Sequence, residues 1–279
     1  MSSPSHAPLQ LAAAGLAVGA LVLTALAASR PGDPDRWTVA QEPAPVALQQ
    51  PAVQGAVELT SRTLTDAAGT TRRPHGSGPH ASPVWVADVS AATGIPTTAL
   101  QAYADVSIVL AADTPSCKVG WTTLGAIGAI ESDHGTHGGS ALQPDGRAEP
   151  PILGPALDGD VFAAIPSTAD SVVLHGDPTW DHAVGPMQFI PSTWQRWGAD
   201  GDGDGHSDPQ DIDDAALAAG RYLCAGGGDL TRADGWNTAV LSYNHSQEYV
   251  DQVLALADAY GRSAIAAREA LSTATGSAP

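Results

Sequence analysis

Between Val84 and Gly261 the apolar positions fall mostly at helical spacing, and the strict alternation of a half-buried strand is sparse. In "GIPTTALQAYADVSIVLAA", Leu100, Tyr103, Ile108 and Leu110 approximate one helical stripe. "CKVGWTTLGAIGAIESDHG" predicts a second helix stopped by Gly135, and "HAVGPMQFIPSTWQRWG" a short one with Pro191 at its first position and Gly198 as its stop. "DIDDAALAAGRYLCAGGG" sets Ile212, Ala216, Ala219 and Leu223 at helical spacing. "GWNTAVLSYNHS" and "SQEYVDQVLALADAYG" give two more helices, the last with Tyr249, Val250, Val253, Leu254, Ala257 and Tyr260 on one stripe. The Gly- and Pro-rich "GGSALQPDGRAEPPILGPALDGD" is too long for an ordinary connection and reads as a functional surface loop. The pattern predicts a mainly α domain over residues 84–262, with these stripes as its core.

The ends of the 279-residue chain are of another kind. Residues 9–28, "LQLAAAGLAVGALVLTALAA", are nearly all apolar and without charge, so residues 1–29 read as a signal peptide or an N-terminal membrane anchor. Ala25-Leu26-Ala27 offers a small-x-small cleavage pattern, but "MSSPSHAP" lacks the basic residue of a signal n-region, and both readings stay open. Either places the domain outside the cytoplasm, secreted or tethered to the membrane through residues 9–28. Residues 30–83 are rich in Pro and Ala and read as a linker, and residues 263–279 as a flexible tail.

Charge and cysteine content narrow the picture further. A net charge of -18 with no basic cluster argues against nucleic acid as a partner. Cys117 and Cys224, the two cysteines, read as one disulfide in an exported chain.

Two stretches carry candidate chemistry. In "LGAIGAIESDHG", Leu124, Ile127 and Glu131 share one helical face, the one that should meet the core. A carboxylate placed there is desolvated, its pKa rises, and it becomes a candidate general acid. The alternative is that Glu131 marks the last exposed turn before Gly135. In "DGDGDGH", Asp200, Asp202 and Asp204 alternate with glycines ahead of His206, as in the first half of an EF-hand calcium loop. A twelve-residue loop would close at Asp211 and a longer one at Asp214. A zinc reading of Glu131, His134 and His137 is disfavoured because Gly135 breaks the helix that would align them. Ser132 and Ser242 lack the Gly-x-Ser-x-Gly turn of a hydrolase nucleophile.

Taken in order, "AIESDHG", "AVGPMQFIPSTW", "DGDGDGH" with "DPQDIDDAALAAGRYL", and "AVLSYNHS" resemble the lytic murein transglycosylases of the membrane-bound B type, particularly actinobacterial forms. The resemblance runs from Ile95 to Tyr260. It implies a lysozyme-like α fold with an EF-hand insert and cleavage of peptidoglycan glycan strands, leaving 1,6-anhydromuramic ends. By position it implies Glu131 as the single catalytic acid, with Gln188, Thr179, Tyr243 and Asn244 in the sugar groove. It also implies structural Ca²⁺ held by Asp200, Asp202, Asp204, the His206 carbonyl and Asp214, preferred over Asp211. "HGDPTWDH", ahead of Gly185, departs from the family pattern. The alternatives are a hydrolytic muramidase at the same site and a non-catalytic peptidoglycan-binding protein.

Overall fold

The computed structural model describes residues 80–160 and 163–276, together with the backbone of three short strands, Val57–Glu58, Leu64–Thr65 and Thr71–Arg72. The leader expected over residues 1–29, and most of the linker expected over 30–83, lie outside the described residues. Among the described residues no single helix is long and apolar enough to cross a membrane.

Eight helices make up the described domain: α1 (Pro83–Thr93), α2 (Thr97–Asp113), α3 (Trp121–Ser132), α4 (Ala169–His175), α5 (Pro191–Trp197), α6 (Ile212–Gly227), α7 (Ala233–Tyr243) and α8 (Gln247–Gly276). The fold is mainly α, as the apolar spacing predicts. Helix α2 is central and buried from Ala99 to Ser107, so its sequence is apolar or small on nearly every side rather than along one stripe. Helices α3 and α6 pack against it, α7 lies on α6, and α8 crosses α3 and α1. The approach of α2 to α3 is close at Gly128, where a Cβ would run into the Tyr103 hydroxyl. Cys117, just ahead of α3, is bonded to Cys224 near the end of α6, with Cα atoms 5.2 Å apart. The Trp236 indole N–H on α7 donates to Thr123 Oγ1 on α3 at 3.0 Å.

Three expectations need correction. The domain does not begin at Val84: the strand His80–Ala81 belongs to it, because Asp105 on α2 accepts from the Ala81 amide at 2.7 Å and faces His80 Nδ1 at 3.0 Å. Nor does the chain become a tail at residue 263, since α8 runs on to Gly276, with Gly261 and Ala264 still buried. Its last turns are rich in Ala and other strong helix formers, which sustain a helix where few large apolar residues remain. The expected surface loop is partly ordered into short antiparallel pairs. Ala141–Leu142 pairs with Ala148–Glu149, and Leu153–Ala156 with His182–Val184.

Candidate active site

Helix α3 delivers Glu131 to the edge of the core. The helix stops where Asp133 enters the left-handed region (φ 51°), with the Asp133 and His134 amides donating to the Ala129 and Gly128 carbonyls, each at 3.0 Å. Glu131 is therefore in the last turn but buried at 8 % exposure, which disposes of the exposed-turn reading. Ser132 beside it donates to the Pro186 carbonyl at 2.6 Å and accepts from the Gly135 amide at 2.8 Å. It thus fastens the end of α3 to the Gly-Pro-Met-Gln turn and serves as a structural tie. His134 is enclosed between Tyr103 and Tyr260, its ring nitrogens 3.3 and 3.1 Å from their hydroxyl oxygens. Burial lowers its pKa to about 4, so it is neutral.

Glu131 opens into a cavity. One wall is Pro155, Leu157 and Ala183; the rest comes from Gln188, Phe189, Ile190 and Thr193 around the start of α5, and from Tyr222, Tyr243 and Asn244. Among the described residues lining it, Glu131 is the only carboxylate. Its Oε1 accepts from the Tyr249 hydroxyl at 2.6 Å, and its Oε2 has no partner. Burial pushes its pKa up to about 7, against the Tyr249 hydrogen bond, which pulls it down. Tyr249 itself is held well above its ordinary pKa by burial and by the Glu131 charge, so it stays a donor. The Tyr243 hydroxyl donates to the Met187 carbonyl at 2.7 Å, which fixes the turn that presents Gln188. Asn244, which also lines the cavity, is buried at 3 % exposure with its Oδ1 unpartnered.

Four expected residues, Glu131, Gln188, Tyr243 and Asn244, thus meet in one cavity. Thr179 does not line it: its amide donates to Asp177 Oδ1 at 2.7 Å and its carbonyl accepts from Ser167 at 3.1 Å. Tyr249 was legible only as part of the core stripe of α8, and Tyr222 not as a wall residue. Both are aromatic side chains that pack with their rings and act with their hydroxyls. Trp121, Trp194 and Trp236 are core, and Trp180 and Trp197 are half-buried.

The acidic loop lies between α5 and α6. Ligand oxygens of Asp200, Asp202 and Asp214 lie within 4.8 Å of one another. Asp214 also accepts from the Gly201 amide at 2.6 Å and the Asp208 amide at 2.8 Å, so it closes the loop from α6. Asp211 instead caps α6, accepting from the Asp213 amide at 2.8 Å. Burial is the main cause that raises Asp214 to about 7, and the nearby Asp211 and Asp202 charges add to it. The Asp204 carboxylate is not among these three and accepts from the His206 amide at 2.7 Å. An all-oxygen donor set with one buried carboxylate suits a hard cation.

This loop is joined to the cavity through Gly185. At φ 77°, Gly185 lies so close to the Pro209 carbonyl that a Cβ there would collide with it. Its amide donates to the Ile152 carbonyl at 2.9 Å.

No curated protein matches the chain. Among solved structures, the lytic transglycosylase Slt35 of Escherichia coli in complex with bulgecin A aligns at 15 % identity and a TM-score of 0.37, over 65 % of this chain and 79 % of that one. SltB3 of Pseudomonas aeruginosa in complex with NAG-anhNAM-pentapeptide aligns at 18 % identity and 0.37, over 65 % and 67 %. Slt35 in complex with calcium aligns at 15 % identity and 0.36, over 65 % and 80 %. The sequence of residues 173–240 matches the transglycosylase SLT domain, a span that includes Gln188 and the acidic loop but neither Glu131 nor Tyr249. From α4 to α7, then, the chain is similar to a transglycosylase SLT domain.

Proposed function

We propose that the chain is a peptidoglycan lytic transglycosylase of the membrane-bound B type with a lysozyme-like fold, and that Glu131 is its one acid and base. The observation that carries this reading is a single buried carboxylic acid, one oxygen held by Tyr249 and the other unpartnered, in an open cavity lined by no second carboxylate among the described residues. Glycosidases that add water use two carboxylates, one as acid and one as base or nucleophile. A transglycosylase needs one. Protonated Glu131 gives its proton to the glycosidic oxygen between N-acetylmuramic acid and N-acetylglucosamine while the substrate's acetamido group assists at the anomeric carbon. The Glu131 carboxylate then takes the proton of the muramic 6-hydroxyl, whose oxygen closes the 1,6-anhydro ring. A pKa of about 7 suits a group that must give and regain a proton near neutrality.

Gln188 and Asn244 supply amide groups along the groove, and the Tyr243 ring packs behind the scissile bond. Asp200, Asp202 and Asp214 would hold Ca²⁺, which neutralises their mutual repulsion and ties α6 to the loop that supports Gly185. The protein acts at the cell wall, secreted or tethered through residues 9–28. Mass spectrometry of muropeptides released by the protein tests the reading. Products with anhydromuramic ends, one water lighter than reducing ends, are expected. Reducing ends alone would make the protein a hydrolytic muramidase, and binding without cleavage a non-catalytic wall protein.

A further inference from the structure

We propose that His182, an imidazolium that donates from both ring nitrogens, is a positioning residue that clamps one wall of the glycan groove and so supports substrate binding. The proposal rests on the reading of the cavity as a glycan groove.

The clamp sits at an irregularity in the strand pair. Leu153 faces Val184 and Ala156 faces His182, so Gly154 and Pro155 together face the single residue Ala183. Pro155 and Ala183 both line the cavity, and Pro155 has no N–H to give to the ladder. At this point the His182 ring reaches across: Nδ1 lies 2.8 Å from the Gly154 carbonyl oxygen and Nε2 3.1 Å from Asp177 Oδ2. Gly154 in turn lies against the Gln188 side chain, close enough that a Cβ would meet Gln188 Oε1 at 2.6 Å.

Both oxygens facing the ring are acceptors. A carbonyl has no proton to offer, and Asp177 is a carboxylate held below its ordinary pKa by the Thr179 amide first and by His182 next. A neutral imidazole has one N–H and one lone pair, and would set that lone pair against one of the two oxygens. Only the cation donates to both. The adjacent ring makes the contrast. His175 Nδ1 accepts from the Asp177 amide at 3.1 Å and its Nε2 lies 3.3 Å from Asp181 Oδ1, which calls for one N–H. A neutral His175, its ring centre 5.1 Å away, therefore brings no like charge to His182. The groups facing His182 are thus Asp177, His175 and, through His175, Asp181. The strand Leu153–Ala156 offers backbone alone, and α5 contributes only Arg196, exposed and turned over the Trp197 ring.

When the imidazolium loses its proton, one of its two bonds is lost with it. Either the Gly154 carbonyl is released, and the Pro155 wall with it, or the Asp177 turn is. Glu131 and His182 act on different steps: Glu131 on bond cleavage, His182 on binding.

Long-range proton–nitrogen NMR of histidine-labelled wild-type protein at about pH 5 is expected to show both His182 nitrogens protonated and His175 with a single N–H. With purified glycan strands, KM of His182→Gln should be several-fold above that of the wild type, while kcat changes little. Asp177→Asn, which keeps the ring and removes the charged acceptor, should raise KM likewise. A neutral His182 tautomer at about pH 5, or a His182→Gln protein with wild-type KM, would overturn the proposal. If the wild type cleaves no glycan, the functional reading falls, and the nitrogen shifts still decide the charge of the ring.

Discussion

The Tyr249 hydroxyl donates to Glu131 Oε1 at 2.6 Å across 118 residues of sequence, and leaves Oε2 without a partner. The bond orients the carboxyl group without satisfying it. Because a donor favours the charged form, Tyr249 also moderates the rise in pKa that burial imposes.

Replacement of Glu131 by Gln keeps the shape and removes the transferable proton. Activity should fall by at least ~10²-fold, the lower end of what general acid–base catalysis contributes. In the wild type, activity should decline as pH rises through about 7, where the acid is lost. Stability follows the same proton. The native pKa lies above the ordinary value of 4.5, so this contribution is fully present below about 4.5 and is lost as pH rises through about 7. Gln carries no such loss. Thermal melts should therefore favour Glu131→Gln increasingly as pH is raised, and an unchanged difference across that window would count against a buried acid.

Tyr249→Phe tests the partner. With the donor gone, the Glu131 pKa should rise further, and the alkaline limb of the activity profile should move to higher pH. Loss of a buried hydrogen bond should cost about 1 kcal/mol of stability. A pH–rate series with an unmoved limb would show that the 2.6 Å contact has no hold on the acid.

Calcium should raise the melting temperature, since a ligand bound only by the native state stabilises it by mass action. Asp214→Asn should abolish the shift. Asp204→Ala should keep much of it, because the Asp204 carboxylate is turned to the His206 amide and stands outside the three-oxygen cluster. Calorimetry with and without the ion distinguishes the two variants, and the reverse order would reassign the loop.

Gly185→Ala should be costly for its size. The left-handed backbone at φ 77° disfavours any side chain, and the new methyl would strike the Pro209 carbonyl. A loss on the order of 1–3 kcal/mol is expected in denaturant unfolding, the usual range for overpacking. A neutral substitution would mean that the groove turn and the acidic loop are not mechanically joined.

Reduction of Cys117–Cys224, which are separated by 107 positions, should lower the melting temperature. The chain-entropy account assigns a loop of this length about 4–5 kcal/mol. The check is a melt in reductant beside one without it.

The legible parts of this chain are those where a single physical demand acts on a long stretch. Helices α2, α3, α6 and α7 and the first half of α8 announce themselves by apolar spacing and by glycine or proline stops, and Glu131 stands out as a lone acid in an apolar run. The strands of the Gly- and Pro-rich segment are two to four residues long, shorter than any period that could reveal them. Asp211 and Asp214 cannot be told apart by spacing, because a helix cap and a loop-closing carboxylate ask for the same residue type. Tyr249 lies on the same stripe as Val253 and Ala257, and only the fold reveals that its hydroxyl passes the core and reaches the acid.

The abrupt stop of α3 at Asp133 has an electrostatic consequence for the residue two positions before it. The last carbonyls of a helix carry the negative end of its macrodipole, roughly half an elementary charge, and the effect is confined to the final turn. Glu131 sits within that turn. A carboxylate there meets a negative pole as well as a dry surrounding, and both favour the proton. The same glutamate one turn earlier, at Ile127, would be buried without that pole, and the same glutamate at a helix start would be stabilised as an anion. By ending α3 where it does, the backbone itself helps keep the acid charged with its proton.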